Sequence, residues 1–157
     1  MLSRNERGTG DTHLLQLVNH LLDANRAQLA GKPVRLRAQG DASAKIAVPE
    51  AIASVTIGNL IGNACKYTAE GEVLVEVASD GVRVFDTGPG ISVEDAAHLF
   101  ERGFRGTTST GTKGAGIGLS IVGRLCELYG WKVAIAPRGD VRGAVASLSF
   151  RPLSGSS

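Results

Sequence analysis

The sequence has little of what marks secreted, membrane-spanning or nucleic-acid-binding proteins. Its 157 residues include two cysteines, too few for the disulfide framework of a small secreted domain. The net charge is only +2 and the basic residues are scattered, so nucleic acid is not an expected partner. No apolar run approaches the roughly 20 residues that cross a bilayer, and residues 1–10 lack the apolar stretch of a signal peptide. We therefore expect a cytoplasmic fragment that makes no membrane contact itself.

What remains is the composition of one ordinary globular domain. Hydrophobic residues make up 43% of the chain and charged residues 20%, and the length matches the roughly 100–150 residues most common for one domain. Cys65 and Cys126 fall inside apolar helical patterns, which predicts buried thiols in a reducing compartment. Both chain ends lack periodicity and are expected to be loose.

Hydrophobic periodicity predicts a mixture of helices and strands. Helices are expected from Asp11 to about Ala30, from Pro49 onward, from Ser92 to about Phe100, and through Ile117–Leu128. Strands are expected at 34–38 and 45–48, paired with each other, in a hairpin at 73–86, and at 131–136 and 144–150. Residues 101–115 are expected to form a mobile loop. The predicted fold class is a two-layer α/β (α+β) sandwich, in which helices cover one face of the sheet.

Three polar residues lie on one stripe of the helix that follows Pro49. Asn59, Asn63 and Lys66 are spaced four and three apart, roughly opposite the apolar face of this helix. Asparagine oxygens are hard ligands suited to Mg²⁺, and a lysine can neutralise phosphate oxygens. The alternative is an ordinary solvated polar face.

A second candidate segment, Asp86–Ile91, begins where the predicted hairpin ends. Gly88 and Gly90 allow the backbone to approach a ligand closely. The Asp86 carboxylate could accept a hydrogen bond from the exocyclic amine of adenine, while Ile91 and Tyr67 could supply apolar or stacking surface. An ordinary Asp-Thr-Gly turn is the alternative.

A third candidate segment, Gly111–Leu119, leads from a loop into a helix. Free backbone N–H groups and the helix dipole would converge there on a phosphate. The segment is neither a Walker loop nor the dinucleotide-binding fingerprint, because its glycine and lysine spacings differ from both. A flexible hinge is the alternative.

In this order the segments resemble the catalytic domain of histidine kinases. Asn59–Thr68 is similar to the N box of that family, Asp86–Ile91 to its first glycine box and Gly114–Leu119 to its second. Phe100 and Phe104 resemble the F box, although they are four residues apart and the commonest family spacing is three. The resemblance extends over about residues 11–151.

The resemblance implies the Bergerat ATP-binding fold of the GHKL superfamily, shared with gyrase and MutL, with ATP and Mg²⁺ as cofactors. It makes Asn63 the principal Mg²⁺ ligand, supported by Asn59, places Lys66 and Lys113 near phosphates, and lets Asp86 select adenine. The other implied nucleotide contacts are Tyr67, Gly88, Gly90, Ile91, Phe100, Arg102, Arg105, Gly114, Gly116, Ile117, Gly118 and Leu119.

The expected reaction is phosphoryl transfer to a histidine. Gyrase and MutL carry a glutamate base at the position of Asn59, and asparagine cannot accept a proton in that way, so efficient hydrolysis is not expected. None of His13, His20 and His98 resembles the family's phosphoacceptor segment, in which an acidic residue directly follows the histidine. The acceptor is therefore expected on a separate dimerisation and phosphoacceptor domain of a longer kinase, which would act in turn on a response regulator.

The expected domain extends over residues 11–152. Residues 1–10 are then a linker to that helical domain or a cloning-derived segment, residues 153–157 are a tail, and the full-length protein could be an inner-membrane sensor. Two alternatives stay open: an anti-sigma-type serine kinase with the same fold, and a non-catalytic nucleotide-sensing module.

Overall fold

The computed structural model describes residues 12–88, 113–138 and 143–150, and only the backbone of residues 113–118. Three α-helices are present in these ranges: α1 (Leu14–Asn25), α2 (Glu50–Tyr67) and α3 (Lys113–Tyr129). A 3₁₀ helix, Arg26–Leu29, extends α1. The strands are β1 (Thr12–His13), β2 (Val34–Gly40), β3 (Lys45–Ile46), β4 (Gly71–Ala78), β5 (Gly81–Asp86), β6 (Lys132–Pro137) and β7 (Ala144–Ser149).

Five strands form one mixed sheet in the order β2-β4-β5-β7-β6. The β2 and β4 strands are parallel, and the other neighbouring pairs are antiparallel. The predicted hairpin and the two final strands are confirmed. In the register of the hairpin, Val73 lies opposite Asp86, so Asp86 is at the end of β5 where β4 begins.

The core lies between this sheet and the helices on one of its faces. Alternate valines of β4 and β5 face the helices and are at most 4% exposed. Glu76 and Arg83, on the opposite face, form an ion pair across the two strands at 3.7 Å. The α2 helix packs against both α1 and α3. The predicted class, a mixed sheet with helices on one face, is confirmed.

The predicted pairing of residues 34–38 with residues 45–48 is wrong. The β2 strand pairs with β4, with Val34 opposite Gly71, and the short β3 strand pairs with β1, with Thr12 opposite Ile46. The inward side chains of β2 pack against the core, so this strand gains more by joining the main sheet than from a two-strand hairpin.

Two helix boundaries also differ from the prediction. The α1 helix begins at Leu14, because residues 12 and 13 form β1, and it changes to a 3₁₀ helix at Arg26. The α3 helix begins at Lys113, so residues 113–115, which were predicted to end the loop at 101–115, are helical. Asp11, the first residue of the predicted N-terminal helix, and the predicted helix at 92–100 lie outside the described residues.

Cys65 and Cys126 are free and buried, as expected. Burial raises the pKa of each thiol to about 11. Neither thiol is therefore ionised near neutral pH, and both act as small core residues. In the part of the chain that the structure describes, no helix is long and apolar enough to cross a membrane.

Candidate functional site

The α2 helix has the two faces that its sequence predicts. Its core-facing residues Ile57, Leu60, Ile61 and Ala64 are between 0% and 5% exposed. On the other side, Asn59 and Asn63 are half-buried and Lys66 is exposed. The Asn59 side chain donates through Nδ2 to the carbonyl oxygen of Val55 at 2.8 Å. This bond uses the amide nitrogen and not Oδ1, the atom that would coordinate a metal ion.

Asp86 is held at the end of β5 by backbone N–H groups. Its Oδ1 accepts hydrogen bonds from the N–H of Gly88 at 2.9 Å and from the N–H of Ala144 at 3.3 Å. Its backbone carbonyl accepts from Nη1 of Arg138 at 3.2 Å. Within the described ranges, both side-chain hydrogen bonds go to Oδ1, so Oδ2 is the oxygen that a ligand can use.

The electrostatic environment of Asp86 is a balance of opposing effects. Burial raises the pKa of this carboxyl above its ordinary value, while the N–H groups of Gly88 and Ala144 and the positive charge of Arg138 oppose that rise. The carboxylate also contributes to the raised pKa of Cys65 on α2. A half-buried, oriented acceptor of this kind suits a ligand that donates a hydrogen bond.

The turn after β5 is tied to the beginning of β4. The Thr87 hydroxyl donates to the carbonyl of Glu70 at 2.9 Å and accepts from the N–H of Glu72 at 3.0 Å. Gly71 lies against the Thr87 side chain, so closely that a Cβ on residue 71 would be 2.1 Å from Thr87 Oγ1. These contacts fix the first glycine box relative to the strand that follows α2.

The same turn packs against the end of α2. A Cβ on Gly88 would lie 3.1 Å from the carbonyl oxygen of Tyr67, 3.2 Å from Asp86 Oδ1 and 3.4 Å from Thr68 Oγ1. Gly88 therefore allows a close approach between the Asp86 turn and the backbone of the N-box residue Tyr67, while the predicted role of the Tyr67 ring stays a prediction.

Two hydroxyls near the end of α2 are buried without a hydrogen-bond partner among the described residues: Tyr67 Oη and Thr68 Oγ1. Thr68 is fully buried, and its Oγ1 lies close to Gly88 of the first glycine box. Buried polar groups are normally hydrogen-bonded, so this threonine hydroxyl fits a place where a ligand or water completes the site. Thr68 was not among the predicted site residues, although an N-box threonine next to Tyr67 was a visible signal.

Gly143, immediately before β7, lies against Asp86 but was not among the predicted site residues. It adopts φ +124°, and a Cβ there would lie 1.9 Å from the backbone oxygen of Asp86. Arg138 was missed as well, because 52 residues separate it from Asp86. The one local signal was a glycine immediately before a predicted strand.

The remaining predicted site residues are described in part or not at all. The second glycine box lies in the first turns of α3, which begins at Lys113, rather than in a loop before a helix. Leu119 is 3% exposed and belongs to the core. The side chains of 113–118 and all of Gly90, Ile91, Phe100, Arg102 and Arg105 lie outside the description, so their roles stay predictions.

Comparison with known proteins gives one matching family. The model of the histidine kinase-, DNA gyrase B- and HSP90-like ATPases matches residues 50–153. This range begins at the first residue of α2 and extends through the end of β7.

Two curated relatives are sensor proteins. The sensor protein QseC of Escherichia coli K12 is 37% identical over 108 residues, which cover 68% of this chain and 24% of that protein. The sensor protein kinase PmrB of Pseudomonas aeruginosa is 40% identical over 78 residues, covering 46% of this chain and 16% of that protein. The chain therefore spans less than a third of the length of either relative.

Among solved structures, the catalytic domain of the histidine kinase ThkA has a similar fold. The TM-score is 0.75 at 20% sequence identity, with 88% of this chain and 94% of that chain covered.

Proposed function

Because the chain belongs to the histidine kinase-, DNA gyrase B- and HSP90-like ATPase family, we propose that it binds Mg-ATP for phosphoryl transfer. The γ-phosphoryl group would go to a histidine on a separate dimerisation and phosphoacceptor domain. The observation that carries this proposal is the half-buried Asp86 carboxylate, held by two backbone N–H groups beside the end of α2. The sensor-kinase relatives support an ATP-binding kinase domain.

Asp86 is the residue that selects the base. Two backbone donors occupy Oδ1, which leaves Oδ2 to accept from the exocyclic amine of adenine. Guanine has a carbonyl oxygen in the equivalent position, and two acceptors facing each other repel. ATP is therefore preferred to GTP.

The polar stripe of α2 faces the phosphates in this proposal. Asn63, supported by Asn59, would hold Mg²⁺ through side-chain oxygens, and both residues are half-buried. When bound, Mg²⁺ neutralises charge on the phosphate oxygens. Lys66 and Lys113 would reach further phosphate oxygens, and the N–H groups of the first turn of α3 would add donors.

The acceptor comes from outside this domain. Asn59 cannot act as a base on water, so the site positions ATP for an incoming nucleophile rather than for hydrolysis. His13 and His20 are exposed on β1 and α1 and lack a following acidic residue. In the proposed organisation, residues 11–152 form the catalytic domain, residues 1–10 lead to the phosphoacceptor domain, and a response regulator receives the phosphoryl group afterwards.

Calorimetry with Asp86→Asn tests the nucleotide site. The substitution removes the charge-assisted acceptor, so the dissociation constant for Mg-ATP should rise about ten- to a hundredfold. Wild-type protein should bind GTP much more weakly than ATP. Asp41→Asn is the matched control, since Asp41 is exposed in the turn after β2, where it accepts from Ser43.

Circular dichroism of each variant separates a lost ligand contact from a lost fold. Equal ATP binding by the folded Asp86→Asn variant and by wild type would refute the adenine site. Absence of nucleotide binding by folded wild-type protein would refute the proposed function.

A further inference from the structure

Lys32 lies in the connection between the 3₁₀ helix and β2. Its backbone N–H donates to the carbonyl of Leu29 at 2.9 Å, and its carbonyl accepts from the N–H of Val34 at 2.8 Å. Gly31, just before it, has φ +84°, which a side chain would disfavour. The backbone of Lys32 is therefore fixed on both sides, and its side chain leaves the connection from a defined point.

The Lys32 ammonium group contacts the end of α2. Nζ donates to the carbonyl oxygens of Cys65 at 3.2 Å, Lys66 at 3.3 Å and Thr68 at 3.2 Å. These carbonyls are 33 to 36 residues away in the chain. An ammonium group has three donors, and all three find an acceptor here.

This arrangement stabilises a helix end that otherwise depends on water. The last four carbonyls of a helix lack N–H donors within the helix, and the dipole gives that end a partial negative charge. The last turn of α2 closes with the Thr68 N–H donating to the Ala64 carbonyl at 3.1 Å. Lys32 donates hydrogen bonds to three further carbonyls at this end, those of Cys65, Lys66 and Thr68. It also places a positive charge at the negative end of the helix dipole, where a cation is stabilising.

The turn that Lys32 holds carries the N-box residues nearest to Asp86. Lys66 and Tyr67 are its last helical residues, and the Tyr67 carbonyl lies against Gly88 of the first glycine box. The neighbouring Pro33 carbonyl accepts from the N–H of Gly71 at 2.9 Å, so the same segment also fixes the beginning of β4. Movement of the Lys32 contacts would thus displace both sides of the junction.

We propose that Lys32 is a positioning residue, whose ammonium group fixes the last turn of α2 and thereby holds Lys66 and Tyr67 in place for the nucleotide. This inference rests on the proposed nucleotide binding. Lys32 itself touches neither the base nor the phosphates. The positive charge of Lys32 also acts on the nearby Cys65 thiol, where it opposes the rise in pKa that burial causes.

The test compares Lys32→Met with Lys32→Arg in the full chain. Methionine keeps an unbranched side chain and removes the charge and the donors, whereas arginine keeps both. Lys132→Met is the control, because Lys132 is exposed at the beginning of β6, opposite Ser149. That position is level with the beginning of β5, at the other end from Asp86.

Two quantities are measured where circular dichroism shows all variants folded. Amide hydrogen exchange of Lys66, Tyr67 and Thr68, followed by NMR without nucleotide, should accelerate about tenfold in Lys32→Met. The dissociation constant for Mg-ATP should also rise about tenfold. Lys32→Arg should restore most of both effects, and Lys132→Met should show neither.

Each possible outcome decides the inference. Unchanged exchange at residues 66–68 in Lys32→Met would overturn it, since the helix end would not depend on the ammonium group. Faster exchange with unchanged ATP affinity would also overturn it, because the role would then be one of stability alone. If wild-type protein bound no nucleotide, the proposed function would fail, and the exchange result would still show whether Lys32 fixes the turn.

Discussion

At the scale of single residues, the orientation of the Asp86 carboxylate depends on a few neighbouring groups. The side chain is oriented by N–H groups from two places in the chain, one two residues ahead and the other 58 residues away on β7. Burial raises its pKa, and those donors together with Arg138 limit the rise. Asp86 is thus an oriented, half-buried carboxyl whose pKa is set by a balance between burial and nearby donors.

Gly143→Ala is expected to disturb this arrangement strongly. The new Cβ would lie 1.9 Å from the Asp86 carbonyl oxygen at a φ of +124°, so steric overlap adds to backbone strain. We expect a loss of about 2–4 kcal/mol in the free energy of unfolding. Urea denaturation followed by circular dichroism measures it.

Gly130→Ala is the matched control for that substitution. Gly130 has φ +74°, and nothing lies within 4 Å of the position its Cβ would take. Only the conformational cost remains, about 1–2 kcal/mol. Equal losses in the two variants would show that contact with Asp86 does not distinguish Gly143.

The sequence predicted Asp86 as a site residue but not the residues that hold it in place. A carboxylate directly after a strand and before glycines is a local signal, whereas Gly143 and Arg138 act on Asp86 only because β7 pairs with β5. Lys32 reaches α2 because β2 joins the sheet beside β4. Such contacts depend on strand order, which the periodicity of the chain does not encode.

Among the elements, α2 combines a core face with a polar face, which we propose binds the Mg²⁺ and phosphates of ATP. Asn63→Ala should abolish the Mg²⁺-dependent part of ATP binding and change stability by less than about 0.5 kcal/mol, because Asn63 lies on the half-buried polar side. Calorimetry with and without EDTA measures the first effect, and urea denaturation the second.

Ile61→Ala on the opposite face is the contrasting variant. Ile61 is 0% exposed, and its truncation should lower the free energy of unfolding by about 2–5 kcal/mol. The folded fraction of this variant should still bind ATP in a Mg²⁺-dependent manner. A Mg²⁺ response in Asn63→Ala equal to that of wild type would remove Asn63 from the metal site.

Local patterns predicted most elements, and non-local pairing accounts for the wrong strand pairing. The two faces of α2 and the alternating valines of β4 and β5 could be read directly from the sequence. The 34–38 and 45–48 segments are close in the chain and were therefore paired, but β2 had a longer and more apolar partner in β4. The early end of the loop before α3 was missed because three glycines follow Lys113 within the helix.

In the molecule as a whole, the candidate site lies at one end of a sheet that has helices on one face. Helices bury one face of the sheet, and the junction of α2, β4, β5 and β7 gathers Asp86, Tyr67 and Thr68. The sequence-based resemblance to histidine kinase catalytic domains is confirmed by the family match and by the fold. The chain spans only 24% of QseC, so a reaction that needs a second domain has to be tested with that domain supplied.

The residue that accepts the phosphoryl group can be identified only when the second domain is present. With radiolabelled Mg-ATP, the chain alone should turn over slowly and remain unlabelled, because Asn59 supplies no base and the described histidines lack an acidic neighbour. Addition of a helical phosphoacceptor domain from the full-length protein should label that domain. The label should be lost in acid and be absent when the acceptor histidine is replaced by glutamine. An acid-stable label would instead identify a serine kinase, because a phosphate ester on a hydroxyl survives conditions that cleave the phosphorus–nitrogen bond of phosphohistidine.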